Sequence, residues 1–323
     1  MARRPLRIVS YNVRYFGHAL GGLATTRGAM ERIARKLVHL DPLADVVCLQ
    51  EVETRSLRST LAFRQRATST QLETFMEVLA QELPRLRRGF PYEAYYFPAH
   101  AYRLRQTAIY TTGLAVLVNR ERLVVQDHNG RSPHLITHHH VARLREAKQS
   151  RICAHVRLAT SSGEALHVFN THLSLPTPFA RSFWAARGKM GFGPNQAQEA
   201  RKLVSHVHAV AGREAFVVCG DFNSSPVSPV YHYLTGEAGW SGAQEQLKQI
   251  DVTRRTGFPT AGFFRLRMHL DHLFGGNGVR WVDMEGTAPF GASPFQGLSD
   301  HVPLIARFQL AGHGVAHRSE DVA

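Results

Sequence analysis

The chain has 323 residues, with 39 Lys and Arg against 25 Asp and Glu, a formal net charge of +14 and a pI near 10.3. At 44% hydrophobic and 20% charged residues, it has enough apolar side chains for a packed core and too few charges for a disordered chain or a coiled coil. No stretch approaches the ~20 apolar residues of a membrane-spanning helix, and the opening MARRPLRIVSYNVRYFG holds no apolar run long enough for a secretion signal.

In chain order, residues 6–13 (LRIVSYNV) alternate in β-forming residues and read as a strand ending at Asn12. A glycine-bearing gap over 14–28 leads to AMERIARKLVHL, whose apolar residues recur at three and four until Asp41-Pro42 stops the helix. DVVCLQ is a short apolar run that reads as a strand buried on both faces and delivers Glu51 at its end. A second amphipathic helix spans 70–83, and strands are expected near 92–97, 107–118 and 122–127. Residues 128–148, with His138, His139 and His140, read as a solvent-facing connection. Lys148 and Arg151 lead into strands 150–159 and 164–170, joined by a tight turn at 160–163, and are read as incidental cations. The stretch 174–194 is too irregular for an element. NQAQEARKLVSHVHAV is a third helix, AFVVCGDFN a buried strand running into a turn, and SPVYHYLTG a short helix. Strands close the chain near 266–274, 278–285 and 301–310, and a polar tail follows residue 312. Cys48, Cys153 and Cys219 lie in strand-like runs without metal-binding spacing, which predicts buried free thiols and a reducing, cytoplasmic setting.

Four of these apolar strands end in polar residues of one chemical kind: Asn12, Glu51, His172, and Asp221 with Asn223. Strand ends are where sheets build sites. Leu270-Asp271-His272 and Ser299-Asp300-His301 complete an oxygen-rich, imidazole-bearing set with no thiolate. Such donors suit a hard cation: Mg²⁺, Mn²⁺ or Ca²⁺. Phosphoester hydrolysis needs an oriented water, a cation on the phosphate oxygens and a group that meets developing charge, and this set supplies each. Paired with a carboxylate, an imidazole is held in one tautomer and orientation.

The ordered strings SYNV, LQEVE, NTHLS, GDFNSSP, LDH and SDHVPL, spread from Arg7 to Phe308, resemble the endonuclease/exonuclease/phosphatase superfamily of DNase I-like nucleases, sphingomyelinases, inositol phosphatases and deadenylases. The resemblance implies a four-layered α/β sandwich, with two mixed sheets face to face and helices outside. It also implies one domain over 1–312 with loop insertions near 14–28, 128–148 and 174–194. On the matching positions it implies that Glu51 binds the metal with Asn12 beside it and Asp300 nearby. Asp221 and Asn223 would orient water and phosphate. His301 would contact the scissile phosphate with Asp271 as its partner, and His172 would add a second imidazole. The general base stays open between Asp221 and the Asp271–His301 pair. His272 is read as structural, and Ser299 as capping its neighbours.

The expected activity is metal-dependent phosphoester hydrolysis, most directly of nucleic acid, with a phosphatase or phospholipid-headgroup hydrolase as the alternative. The charge of +14 favours a polyanion, and Arg181, Phe183, Trp184, Arg187, Lys189 and Phe192 interleave cations with rings as a strand-gripping loop would. The likeness is weakest to the AP-endonuclease branch, because Arg14 stands where that branch places an acidic residue and because His172 is present.

Overall fold

The protein is described by a computed structural model over residues 4–16, 26–56, 70–83, 89–104, 107–138, 150–176, 190–250, 258–263, 266–285 and 293–311. The expectations for His139, His140, Lys148, the basic-aromatic residues 181–189 and the tail beyond 312 lie outside these residues.

Side chains alternate between faces along an extended chain, and this alternation divides the apolar residues among three clusters. In β1 (Leu6–Asn12), Ile8 faces one cluster while Val9 and Tyr11 face another. In β9 (Ala215–Asp221), Val217 and Cys219 join the same central cluster as Ile8, while Phe216 and Val218 point away from it. The central cluster is the seam between two sheets. The first sheet runs, in spatial order, β14 (Val279–Glu285), β15 (Leu304–Leu310), β1, β2 (Val46–Ser56), β4 (Thr107–Asn119) and β3 (Tyr92–Leu104). The second runs β10 (Ser241–Gly242), β13 (Asp271–Gly276), β9, β8 (Ala165–His172), β7 (Ile152–Thr160) and β5 (Leu123–His128), with β6 (His134–Leu135) also on β7. Both sheets are mixed: β1 and β2 are parallel, as are β8 and β9, and antiparallel ladders flank them.

Helices cover the outer faces. Met30, Ile33 and Leu37 of α1 (Thr26–Val38) and Phe75 and Leu79 of α2 (Gln71–Glu82) pack on Val9, Val47 and Leu117. Ala200, Leu203 and Val207 of α3 (Pro194–Ala211), with Tyr231 of α4 (Pro229–His232), cover Phe216, Val218 and Phe274. Each buried Val, Leu, Ile, Met or Phe among them contributes about 1.5–3 kcal/mol on leaving water. The result is the four-layered α/β/β/α sandwich expected from the motifs. α2 starts at a reciprocal cap, in which Glu73 N donates to Thr70 Oγ1 and Thr70 N to Glu73 Oε2.

Local departures have local causes. The strand expected over 266–274 splits into β12 (Leu266–Met268), which pairs with β11 (Ala261–Phe263), and β13. The split occurs where Leu270 N and Asp271 N both turn to Thr260 Oγ1, at 2.9 and 3.1 Å, instead of continuing a ladder. The short helix after Ser228 widens into a π turn over Tyr233–Glu237. Cys48, Cys153 and Cys219 are buried free thiols. Among the described residues, no helix is long and apolar enough to cross a membrane.

Candidate active site

The two parallel pairs end at one edge of the sandwich, and their last residues meet there. Asn12 closes β1, His172 closes β8 and Asp221 closes β9 in register with both His172 and Asp271. Glu51 sits where the β2–β4 register shifts and its backbone turns left-handed at φ 56, a bulge that re-aims a side chain. The close approach of β8 and β9 requires a glycine just before Asp221: Gly220 has φ 147, and a Cβ there would lie 2.0 Å from the Thr171 carbonyl.

Asn12 ties the two sheets together at the site. Its Nδ2 donates to Glu51 Oε1 at 3.3 Å and to Asp221 Oδ2 at 3.1 Å. Asp221 Oδ2 lies 3.4 Å from His172 Nε2 and 3.7 Å from His301 Nε2, so the carboxylate stands between the two imidazoles. His301 Nδ1 pairs with Asp271 Oδ2 at 2.8 Å. Asn223, left-handed at φ 47, turns its N–H back to Asp221 Oδ1 at 2.9 Å and its Nδ2 to the Leu173 carbonyl at 2.9 Å and to His172 Nε2 at 3.2 Å. The other ring nitrogen of His172, Nδ1, lies 3.9 Å from Glu51 Oε1. Ser299 Oγ donates to the Asn12 carbonyl at 2.8 Å and accepts from His301 N at 3.3 Å. It joins the first strand to the last motif, more than a cap would do. The expected site residues thus gather at this edge, with Asp300 ion-paired to Arg14.

Neighbouring charges split the two histidines. Burial acts against the His301 cation, but Asp271 and Asp221 outweigh it and push the ring up to about 10. Burial, the Arg151 guanidinium and His301 push His172 well below its ordinary range. The charged form is favoured in His301 and the neutral form in His172. Burial drives the Asp221 carboxyl up, opposed by His301.

Arg151, read from sequence as incidental, is buried, lines one cleft with His172 and Glu51, and leaves its Nε without a partner. Its signal was a cation at the mouth of a largely buried strand. His272 is structural as expected, with its buried Nε2 on the Ser224 carbonyl at 2.7 Å. Below the site, Gln50 Nε2 donates to Asn170 Oδ1 at 2.7 Å, and Asn170 Nδ2 to the carbonyls of Leu49 and Ala115 at 2.9 and 3.1 Å. These amides of LQEVE and NTHLS join the sheets. The donors fit a hard cation, being carboxylate and amide oxygens with imidazole and no sulfur. Among the described residues, Asp221, Asp271 and His301 alone place one ligand atom each within 4.8 Å of one another.

A family model for the endonuclease/exonuclease/phosphatase family matches residues 9–301. Similar solved structures include the human Nocturnin catalytic domain with bound sulfate, at 18% identity over 95% of this chain and 94% of that one, with a TM-score of 0.62. ANGEL2, a 2′,3′-cyclic phosphatase in complex with adenosine-2′,3′-vanadate, is 16% identical over 95% and 96%, with a TM-score of 0.65. A mannosyl-6-phosphatase of Bacteroides thetaiotaomicron is 14% identical over 94% and 100%, with a TM-score of 0.60. No curated protein matches the chain.

Proposed function

The chain belongs to the endonuclease/exonuclease/phosphatase family and is a hydrolase of phosphoester bonds, and from that premise we propose that its substrate is the phosphodiester backbone of a nucleic acid. The observation that carries this reading is a cleft lined by Glu51, His172 and Arg151, whose Nε has no partner, with His301 across Asp221 from His172, in a chain of net charge +14. A phosphate flanked by further phosphates is the ligand such a field attracts.

Glu51 and Asn12, flanked by Asp300, would hold a divalent ion, Mg²⁺ by preference with Mn²⁺ or Ca²⁺ as substitutes, which neutralises phosphate oxygens and acidifies water. The chain's own groups do the rest. Asp221, its carboxyl raised by burial, accepts the proton of the attacking water while Asn223 orients that water. A carboxylate so shifted is a better base at neutral pH. His301, kept cationic by Asp271, faces the charge that develops as the phosphorus–oxygen ester bond breaks. His172, neutral, contacts the phosphate, and the departing oxygen takes its proton from the His301 cation, which recovers one from Asp221, 3.7 Å away. The three buried free thiols support a cytoplasmic setting.

The test is degradation of plasmid DNA and single-stranded RNA by purified protein with Mg²⁺ or Mn²⁺. Wild type cleaves at least one polymer, and EDTA or Asp221→Ala abolishes cleavage. Turnover confined to a phosphomonoester or to sphingomyelin headgroups moves the assignment to another branch of the family.

A further inference from the structure

Two consecutive carbonyls of the turn after Asp221 are each held by a buried side chain, and the two side chains come from different layers of the molecule. Gln196 on α3 donates from Nε2 to the Asn223 carbonyl at 2.7 Å. His272 on β13 meets the Ser224 carbonyl with Nε2 at 2.7 Å. Both side chains are fully buried. Asn223 is left-handed, and a non-glycine residue persists in that region only where its surroundings over-determine it. The same turn carries the N–H that meets Asp221 Oδ1 and the amide that meets His172 Nε2.

Gln196 also reaches in the opposite direction. Its Oε1 accepts from Gly191 N and Gly193 N, each at 3.2 Å, and Met190 O accepts from Ser225 N at 3.1 Å. One amide therefore joins the 190–193 segment to the turn bearing Asn223. His272 sits in an aromatic box, its ring 5.8 Å from Phe222, 5.0 Å from Tyr231 and 5.7 Å from Phe274. Packing holds its ring in addition to the bond it makes.

We propose that Gln196 and His272 are positioning residues that clamp the turn from both sides and set Asn223 and Asp221 against His172. This rests on the reading above in which Asp221 and Asn223 orient the attacking water. A Gln196 that merely anchored the 190–193 segment would need only its two acceptor bonds. Gln196→Glu keeps an acceptor oxygen and removes the donor to Asn223, whereas Gln196→Met removes both. His272→Phe keeps the aromatic packing and removes the other donor, and His272→Gln returns one.

Two readouts decide the proposal. The first is amide hydrogen exchange of peptides covering 221–226, which requires no substrate. Gln196→Glu and His272→Phe raise it roughly tenfold, while the sheet strands stay protected as in wild type. The second is steady-state turnover of bis-p-nitrophenyl phosphate with Mn²⁺. Here kcat falls roughly 10- to 100-fold with KM within about threefold, the pattern of a misplaced reacting group, and His272→Gln recovers part of it. If exchange of 221–226 in Gln196→Glu equals that of wild type, the clamp is overturned. Wild-type turnover insensitive to Asp221→Ala contradicts the reading of the site instead, and the exchange data still decide the clamp.

Discussion

At Gly220 there is no room for a side chain, because φ 147 and a 2.0 Å approach to the Thr171 carbonyl both exclude a Cβ. Gly220→Ala is expected to destabilise the fold by about 3 kcal/mol or more, read as a lowered midpoint in urea unfolding. The neighbouring chemistry gives a second prediction. His301→Gln lowers kcat on a diester probe by roughly 10²- to 10³-fold, since a cation facing developing charge is lost. Asp271→Asn, which leaves the ring in place but removes the charge that sustains its proton, costs less. Equal loss in both variants would mean that Asp271 itself touches the reacting atoms. The polar ends of apolar strands made Asn12, Glu51, His172 and Asp221 legible in the sequence, because an unpaired buried carboxylate or amide in such a run demands a reason. Gln50 and Asn170 were not legible in the same way: their partnership spans 120 residues of chain and exists only once the sheets face each other. The Arg14–Asp300 pair is hidden for the same cause, with 286 residues between its members.

Among the elements, β6, β7, β8 and α3 bring together a histidine group outside the motif residues. His155 Nε2 meets His167 Nδ1 at 2.9 Å, His167 Nε2 meets Glu214 Oε2 at 2.7 Å, and His206 stacks on His134 with centroids 3.8 Å apart. Burial, then His167 and His206, hold His155 down to about 3; burial and His134 hold His206 down to about 4. Unfolded imidazole titrates near 6.5. Between those values the unfolded chain binds protons that the folded chain refuses, so stability is full above pH ~6.5 and falls as pH drops toward 3. Melting temperature measured from pH 7.5 to 4.5 should decline, and His155→Phe should decline less steeply; parallel curves would remove the cluster from the account. At α2 the cap is the testable part, and Thr70→Ala should cost about 1 kcal/mol in urea unfolding. Elements with clear periodicity or a stop signal, such as α2, α3 and β1, stood where the pattern placed them. The break between β12 and β13 did not, because it is imposed by Thr260, a distant hydroxyl that no local pattern announces.

For the whole molecule, the layers follow from alternation and helical period, and the catalytic edge follows from where the parallel pairs end. The proposed substrate rests on a less local property, a net charge of +14 whose field acts over a Debye length of about 8–10 Å. Cleavage of nucleic acid should therefore weaken steeply in kcat/KM between 50 and 200 mM salt, as charge-steered binding does, whereas hydrolysis of a small neutralised diester should change little. Equal salt response of the two substrates would make the charge incidental to the reaction. The most direct measurement is the ratio of kcat/KM for a labelled single-stranded oligonucleotide to that for p-nitrophenyl phosphate, in one preparation with Mg²⁺ and with Asp221→Ala as the blank. A ratio of about 10² or more in favour of the oligonucleotide, lost in the variant, is the predicted result. Preference for the monoester, with the same loss in the variant, would contradict a nucleic-acid substrate while leaving the hydrolytic site intact.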